Sequence, residues 1–139
     1  MTYLLDTNTC IKYLNGTSEK IRNNLGSKQP EEINICSVVK GELFYGALKS
    51  AKPEKNLDKV RKFLGSFLSL PFDDTVAEKY GEIRAKLEKA GTPIGSNDLF
   101  IAAIAASNDK TLVTSNTREF CRVEGIKLED WEEKILPNL

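Results

Sequence analysis

Short apolar runs bounded by polar residues recur along this chain at Thr2 to Leu5, Ile33 to Cys36, Phe67 to Leu70 and Thr111 to Thr114, with a weaker one at Ile126 to Leu128. Each reads as a strand. Helical periodicity fills the intervals, at roughly Thr9 to Leu14, Ser18 to Leu25, Val38 to Lys49, Pro53 to Gly65, Asp74 to Ala90 and Ser96 to Asn108. This alternation constrains the fold more than any other feature. Parallel neighbours need long crossovers, usually helical, so the pattern predicts a layered α/β domain around a mostly parallel sheet. With 139 residues, 40% of them hydrophobic, and no repeat or long linker, the chain reads as one domain over 1–139.

In such sheets functional groups gather beyond the carboxyl ends of the strands, often where the strand order reverses. Asp6 and Asn116 stand at such ends. The chemistry available there is narrowed by an absence: the chain has no histidine. That excludes serine–histidine triads and histidine–zinc sites, and it removes the commonest acid–base group near neutral pH. A hydrolase built from this sequence must activate its nucleophile otherwise, and carboxylates holding a hard cation are the evident route. Twenty basic and twenty acidic residues cancel, so attraction to a phosphate backbone must come from a local patch.

Three acids stand out. Asp6 follows the first predicted strand directly, where it serves either as a helix cap or as a site carboxylate; Thr7 or Asn8 could cap equally well. Glu42 falls among Val38, Val39, Leu43, Gly46 and Ala47, on the apolar stripe of its helix. A carboxylate there requires a cation, a hydrogen-bond network or a raised pKa, unless it reaches solvent at the helix edge. Asp98 opens the almost wholly apolar segment Leu99 to Ala106, so its helix begins inside the protein. Ser96 or Asn97 can cap that helix, which leaves Asp98 in a first turn where the dipole favours negative charge.

Other acids read as caps or solvated faces: Asp73 and Asp74 before a helix, and Glu78, Glu82 and Glu88 among Lys and Arg. Cys10, Cys36 and Cys121 are odd in number and form no C-x-x-C pair, so all three are expected to be reduced, buried thiols of a cytoplasmic protein. No signal-like leader and no apolar run of membrane-spanning length is apparent.

The segments "YLLDTNTCIKYL", "ICSVVKGELFYGA", "IGSNDLFIAAIAA" and "TLVTSNTREF", in this order, resemble the PIN-domain ribonucleases and, within them, the VapC toxins of bacterial toxin–antitoxin pairs. The resemblance covers nearly the whole chain. It implies a three-layer α/β/α fold and a magnesium- or manganese-dependent endoribonuclease, with the family's metal-holding acids at Asp6, Glu42 and Asp98. It also implies a homodimer and a cognate VapB-like antitoxin that covers the acidic pocket and alone contacts operator DNA.

Many relatives carry a fourth acid where this chain has Asn116. The amide oxygen or a water could serve there, three charges could suffice, or Glu119 one turn later could be recruited. The ending "VTSNTREFCRVEGIKLEDW" resembles the enteric branch that cuts the anticodon stem-loop of initiator tRNA. The alternative to a nuclease is a catalytically inactive PIN-like module that binds RNA or protein, with neutral Asn116 as its motive.

In the nuclease reading water attacks the scissile phosphate and leaves a 5′-phosphate and a 3′-hydroxyl. RNA approaching a carboxylate cluster needs positive charge at the rim. Arg118 is the best-placed candidate, with Lys40 and Lys49 leading a lysine-rich stretch that continues to Lys62. Among Tyr13, Phe44 and Tyr45, which could line a groove for an antitoxin helix, Tyr45 is expected to be the exposed one. Trp131 is expected to pack the C-terminal segment down.

Overall fold

The computed structural model describes residues 1–133. Its strands are β1 (Tyr3–Leu5), β2 (Ile33–Cys36), β3 (Leu68–Leu70), β4 (Thr111–Val113) and β5 (Lys127–Glu129). The helices are α1 (Thr7–Asn15), α2 (Glu19–Gly26), α3 (Ser37–Leu48), α4 (Pro53–Leu64), α5 (Asp74–Lys89), α6 (Ser96–Ser107) and α7 (Thr117–Phe120), with a 3-10 turn at Pro30–Glu32. All five strands pair in parallel in the order β3-β2-β1-β4-β5.

The central strands explain why the sequence runs were continuous rather than alternating. Every residue of β1 and β4 is buried, whichever face it points to, as expected when helices cover both faces of a parallel sheet. Right-handed crossovers put the helices that link β1, β2 and β3 on one face and those between β3 and β4 on the other. The resulting core includes Leu4, Ile35, Val39, Ile101, Ile104 and Leu112, all at most 2% exposed, and each such side chain contributes about 1.5–3 kcal/mol on burial. Trp131 is buried edge-on against Tyr3, with the Lys28 ammonium over both rings, so the segment after β5 is fastened across the start of β1. The last six residues, which the packing of Trp131 was expected to affect, lie outside the described part.

One strand-order feature positions the site. From β1 the chain moves outward to β2 and β3, then returns to β4 on the other side of β1 and continues to β5. Connections from the adjacent strands β1 and β4 therefore leave in opposite directions, which opens a crevice at their carboxyl ends. The backbone N–H of Asp6 donates to the Val113 carbonyl at 3.1 Å, so the residues just beyond these strands are held side by side.

The cysteine expectation needs correcting at one position. Cys10 and Cys36 are buried, but Cys121 is exposed, at the end of the four-residue helix α7. A helix that short presents little surface to the core, and Phe120 takes the buried place. Burial pushes the Cys10 thiol well above its ordinary pKa, with the Asp6 charge adding to the effect, and burial likewise raises Cys36. Both therefore stay protonated and inert at neutral pH. No helix among the described residues is long and apolar enough to cross a membrane.

Candidate active site at the carboxyl edge of the sheet

Asp6 does both things its position allows. It is the N-cap of α1, its Oδ1 accepting from the Thr9 N–H at 2.8 Å, and it is only 5% exposed at the mouth of β1. Capping uses Oδ1; no hydrogen bond to Oδ2 is present among the described residues. Neither Thr7 nor Asn8 caps this helix. The Thr7 hydroxyl is instead buried without a partner.

Asp98 lies in the first turn of α6, as expected, but the capping residue is Gly95 and no side chain caps that helix. Neither Ser96 nor Asn97 takes that role. Burial is the first cause that lifts the Asp98 carboxyl from 3.8 to about 6, followed by the charges of Glu119, Asp6 and Glu42 and a hydrogen bond with Glu119. Carboxylates raise one another's pKa only when they share a neighbourhood, and the fold brings these four acids together from the end of β1, the middle of α3, the first turn of α6 and the short helix α7.

Glu42 departs from the sequence reading. It is half-buried at the edge of α3 rather than enclosed in the apolar stripe. Its Oε1 accepts from Asn97 Nδ2 at 2.8 Å. Asn116 sits just beyond β4 with its amide turned toward carboxylates: Nδ2 is 2.7 Å from Glu119 Oε2 and 3.5 Å from Asp98 Oδ2. The Asn116 N–H donates to Thr114 Oγ1 at 3.0 Å, which holds the turn between β4 and α7.

The surrounding charge is one-sided. The ion pairs among the described residues involve Asp58, Glu82, Glu88, Asp109, Glu124 and Glu132. None involves Asp6, Glu42, Asp98 or Glu119. Among the described residues, no three Cys, Asp or Glu side chains stand close enough together to enclose an ion as they are oriented. The expected trio is thus gathered but not closed. Mutual repulsion spreads like charges, and the amides of Asn97 and Asn116 hold Glu42 and Glu119 by one oxygen each. The donor set nevertheless suits a hard divalent cation: all oxygen, several carboxylates, no compensating base, and an orphaned buried hydroxyl beside Asp6.

Of the basic candidates, Arg118 is exposed on α7, two residues from Asn116, and Lys40 is half-buried in the first turns of α3. Lys49 is the C-cap of the same helix, over the Tyr45 ring at 4.9 Å. Seven residues separate it from Glu42, or roughly 10 Å of helix axis directed away from the sheet's carboxyl edge. A cleft of about 240 Å³ adjoins Glu42, lined by Ile11, Leu14, Leu43, Lys59 and Val60 among others. Tyr45 is 64% exposed, as expected, whereas Tyr13 packs against Phe63 and Phe44 against the core.

Two residues of this site were not singled out for it by the sequence reading. By sequence Asn97 offers only a cap, and nothing in its local sequence signals a bond to a residue 55 positions away. Thr7 likewise offers only a cap. Glu119 was one of several options, and its spacing one turn after Asn116 was the available signal.

The PIN domain family matches residues 3–126 of this chain. The chain is 41% identical over 131 residues to the tRNA(fMet)-specific endonuclease VapC of Salmonella typhimurium, covering 94% of this chain and 98% of the relative. It is 40% identical over 134 residues to Ribonuclease VapC2 of Rickettsia felis, covering 96% and 100%. Among solved structures it is similar to VapBC2 from Rickettsia felis bound to a promoter DNA fragment, with a TM-score of 0.89 at 40% identity over 95% of this chain and 100% of that one. DNA-bound VapBC from Salmonella typhimurium gives the same TM-score at 41% identity, over 94% and 98%. Sequence motifs, parallel strand order and relatives agree: this chain belongs to the PIN-domain family and, within it, to the VapC toxin ribonucleases.

Proposed function

We propose that this protein is a cytoplasmic, divalent-metal-dependent endoribonuclease, a single PIN domain acting as the toxin of a type II toxin–antitoxin pair. The observation that carries the reading is the gathering of Asp6, Glu42, Asp98 and Glu119 at the strand-order switch with no lysine or arginine among the described residues paired to any of them. Negative charge concentrated in this way costs stability unless a cation joins it. A bound Mg2+ or Mn2+ would supply activated water and charge compensation at the phosphate.

Asp6 and Asp98 are the principal holding residues in this reading, because both are fixed by the backbone ends that carry them. Glu42 completes the set from α3 and accepts the proton of the attacking water. Glu119 takes the place that a fourth acid would fill, and Asn116 turns its amide to Glu119 and Asp98 at a position where a carboxylate facing the cation would serve as well. Arg118 and Lys40 would meet the RNA backbone at the rim. Lys49, at the far end of α3, would meet only RNA that extends along that helix.

A relative specific for initiator tRNA motivates the same substrate here. The solved VapBC complexes with DNA motivate a VapB-like antitoxin, with operator DNA contacted through it, and the homodimeric toxin follows from the family resemblance alone. The cleft beside Glu42 is a suitable bed for an antitoxin helix, being apolar along its walls and acidic at its end.

The test is cleavage of an initiator-tRNA transcript by purified protein with Mn2+ or Mg2+, followed by EDTA. Asp6→Ala and Asp98→Ala should each lose about 10³-fold in rate while remaining folded. Undiminished cleavage by either variant, or cleavage indifferent to EDTA, would overturn the reading.

A further inference from the structure

Asn97 occupies the second position of α6, immediately before Asp98, and its side chain is exposed. It does not cap its own helix, since Gly95 fills the N-cap position and no side-chain bond is made there. It packs into no core. Its Nδ2 instead reaches Glu42 Oε1 at 2.8 Å, the only side-chain hydrogen bond between α3 and α6 among the described residues.

A half-exposed glutamate with no partner samples several rotamers and spends much of its time pointing to water. This one is tied to the same helix end that carries Asp98. The tie is a neutral amide, so it orients the carboxylate without cancelling its charge, as a lysine or arginine would. Only Oε1 is engaged, and no hydrogen bond to Oε2 is present among the described residues.

We propose that Asn97 is a positioning residue that fixes the Glu42 carboxylate beside Asp98 for the divalent cation, an inference that rests on the metal-dependent nuclease reading. Outer partners that orient ligands of this kind change metal affinity by about 10–100-fold when removed.

The experiment is Mn2+ titration of wild type, Asn97→Ala, Glu42→Ala and the double variant, with free Mn2+ read by EPR and unfolding followed in EDTA. Asn97→Ala should weaken Mn2+ binding about 10-fold, with an unchanged Tm in EDTA and an unchanged KM for RNA. In the Glu42→Ala background it should weaken binding no further, because its partner is gone. Asn97→Gln, which keeps a donor on a longer arm, should fall between wild type and Asn97→Ala.

Wild-type affinity in Asn97→Ala would overturn the inference and leave the nuclease reading standing. An equal loss in both backgrounds, or a loss that tracks a lowered Tm in EDTA, would also overturn it. Absence of Mn2+ binding by the wild type would overturn the nuclease reading and this inference together.

Discussion

The acids of α5 and those at the carboxyl edge of the sheet carry the same charge in opposite circumstances. On α5, Glu82 lies 3.5 Å from Lys79 and Glu88 lies 2.9 Å from Arg84, each pair one helical turn apart and open to solvent. At the sheet edge, Asp6, Glu42, Asp98 and Glu119 come from four separate parts of the chain and, among the described residues, meet only amides and one another. Pairing in the first case is a local matter of i,i+3 and i,i+4 spacing and contributes little. Crowding in the second is imposed by the whole fold and opposes folding. A charge arrangement that the chain's own stability disfavours is where a function is to be sought.

The contrast is broken most forcefully at Asp98. Asp98→Asn removes the carboxylate most crowded by its neighbours and should raise the Tm in EDTA by several degrees while abolishing RNA cleavage; a lowered Tm would mean that Asp98 stabilises the fold. The same crowding sets a pH dependence. Because the folded-state pKa of Asp98 is raised from 3.8 to about 6, the folded protein holds a proton between those values that the unfolded chain has released. Stability from this group is fully present below the unfolded value and is lost as pH rises through about 6. Thermal unfolding in EDTA should therefore show a Tm contribution that falls between about pH 4 and pH 6 and levels off above, and Asp98→Asn should flatten that fall.

A milder change sharpens the comparison. Asn116→Asp adds a further acid to the cluster in place of an amide that bonds Glu119. Activity with Mn2+ should stay within about 3-fold of wild type, well inside the loss expected for a metal-orienting partner, whereas the Tm in EDTA should drop. A folded but inactive Asn116→Asp would contradict the role given to this position. The smallest effect belongs to α5: Arg84→Ala, which frees Glu88, should move the Tm by no more than about 1 °C and leave cleavage unchanged, as solvent-exposed pairs do.

Much of this molecule was legible in its residues because its signals are local. The β1, β2 and β4 runs are buried along their whole length and mostly apolar, Asn34 and Thr111 excepted, because both sheet faces are covered, and proline at the start of α4 and the cap at Asp73 mark helix ends plainly. Strand order is not local and had no reader in the sequence beyond the resemblance. The four residues of α7 carry no period, so the exposure of Cys121 went unseen.

At the site, Asp6 and Asp98 were recognisable because each follows or opens an apolar element. The apolar neighbours of Glu42 in sequence place it on the core side, whereas in the fold it lies at the margin of that stripe, half in solvent. The tie from Asn97 to Glu42 spans two elements and depends on how α3 and α6 cross, which no spacing encodes.

The account stands or falls on where a cation goes. A crystal of the wild-type protein soaked in Mn2+ and measured at the manganese absorption edge should show one strong anomalous peak in the crevice between β1 and β4, with oxygens of Asp6 and Asp98 turned inward to coordinate it. Manganese found elsewhere, or an empty crevice with those carboxylates still spread apart at saturating Mn2+, would contradict it.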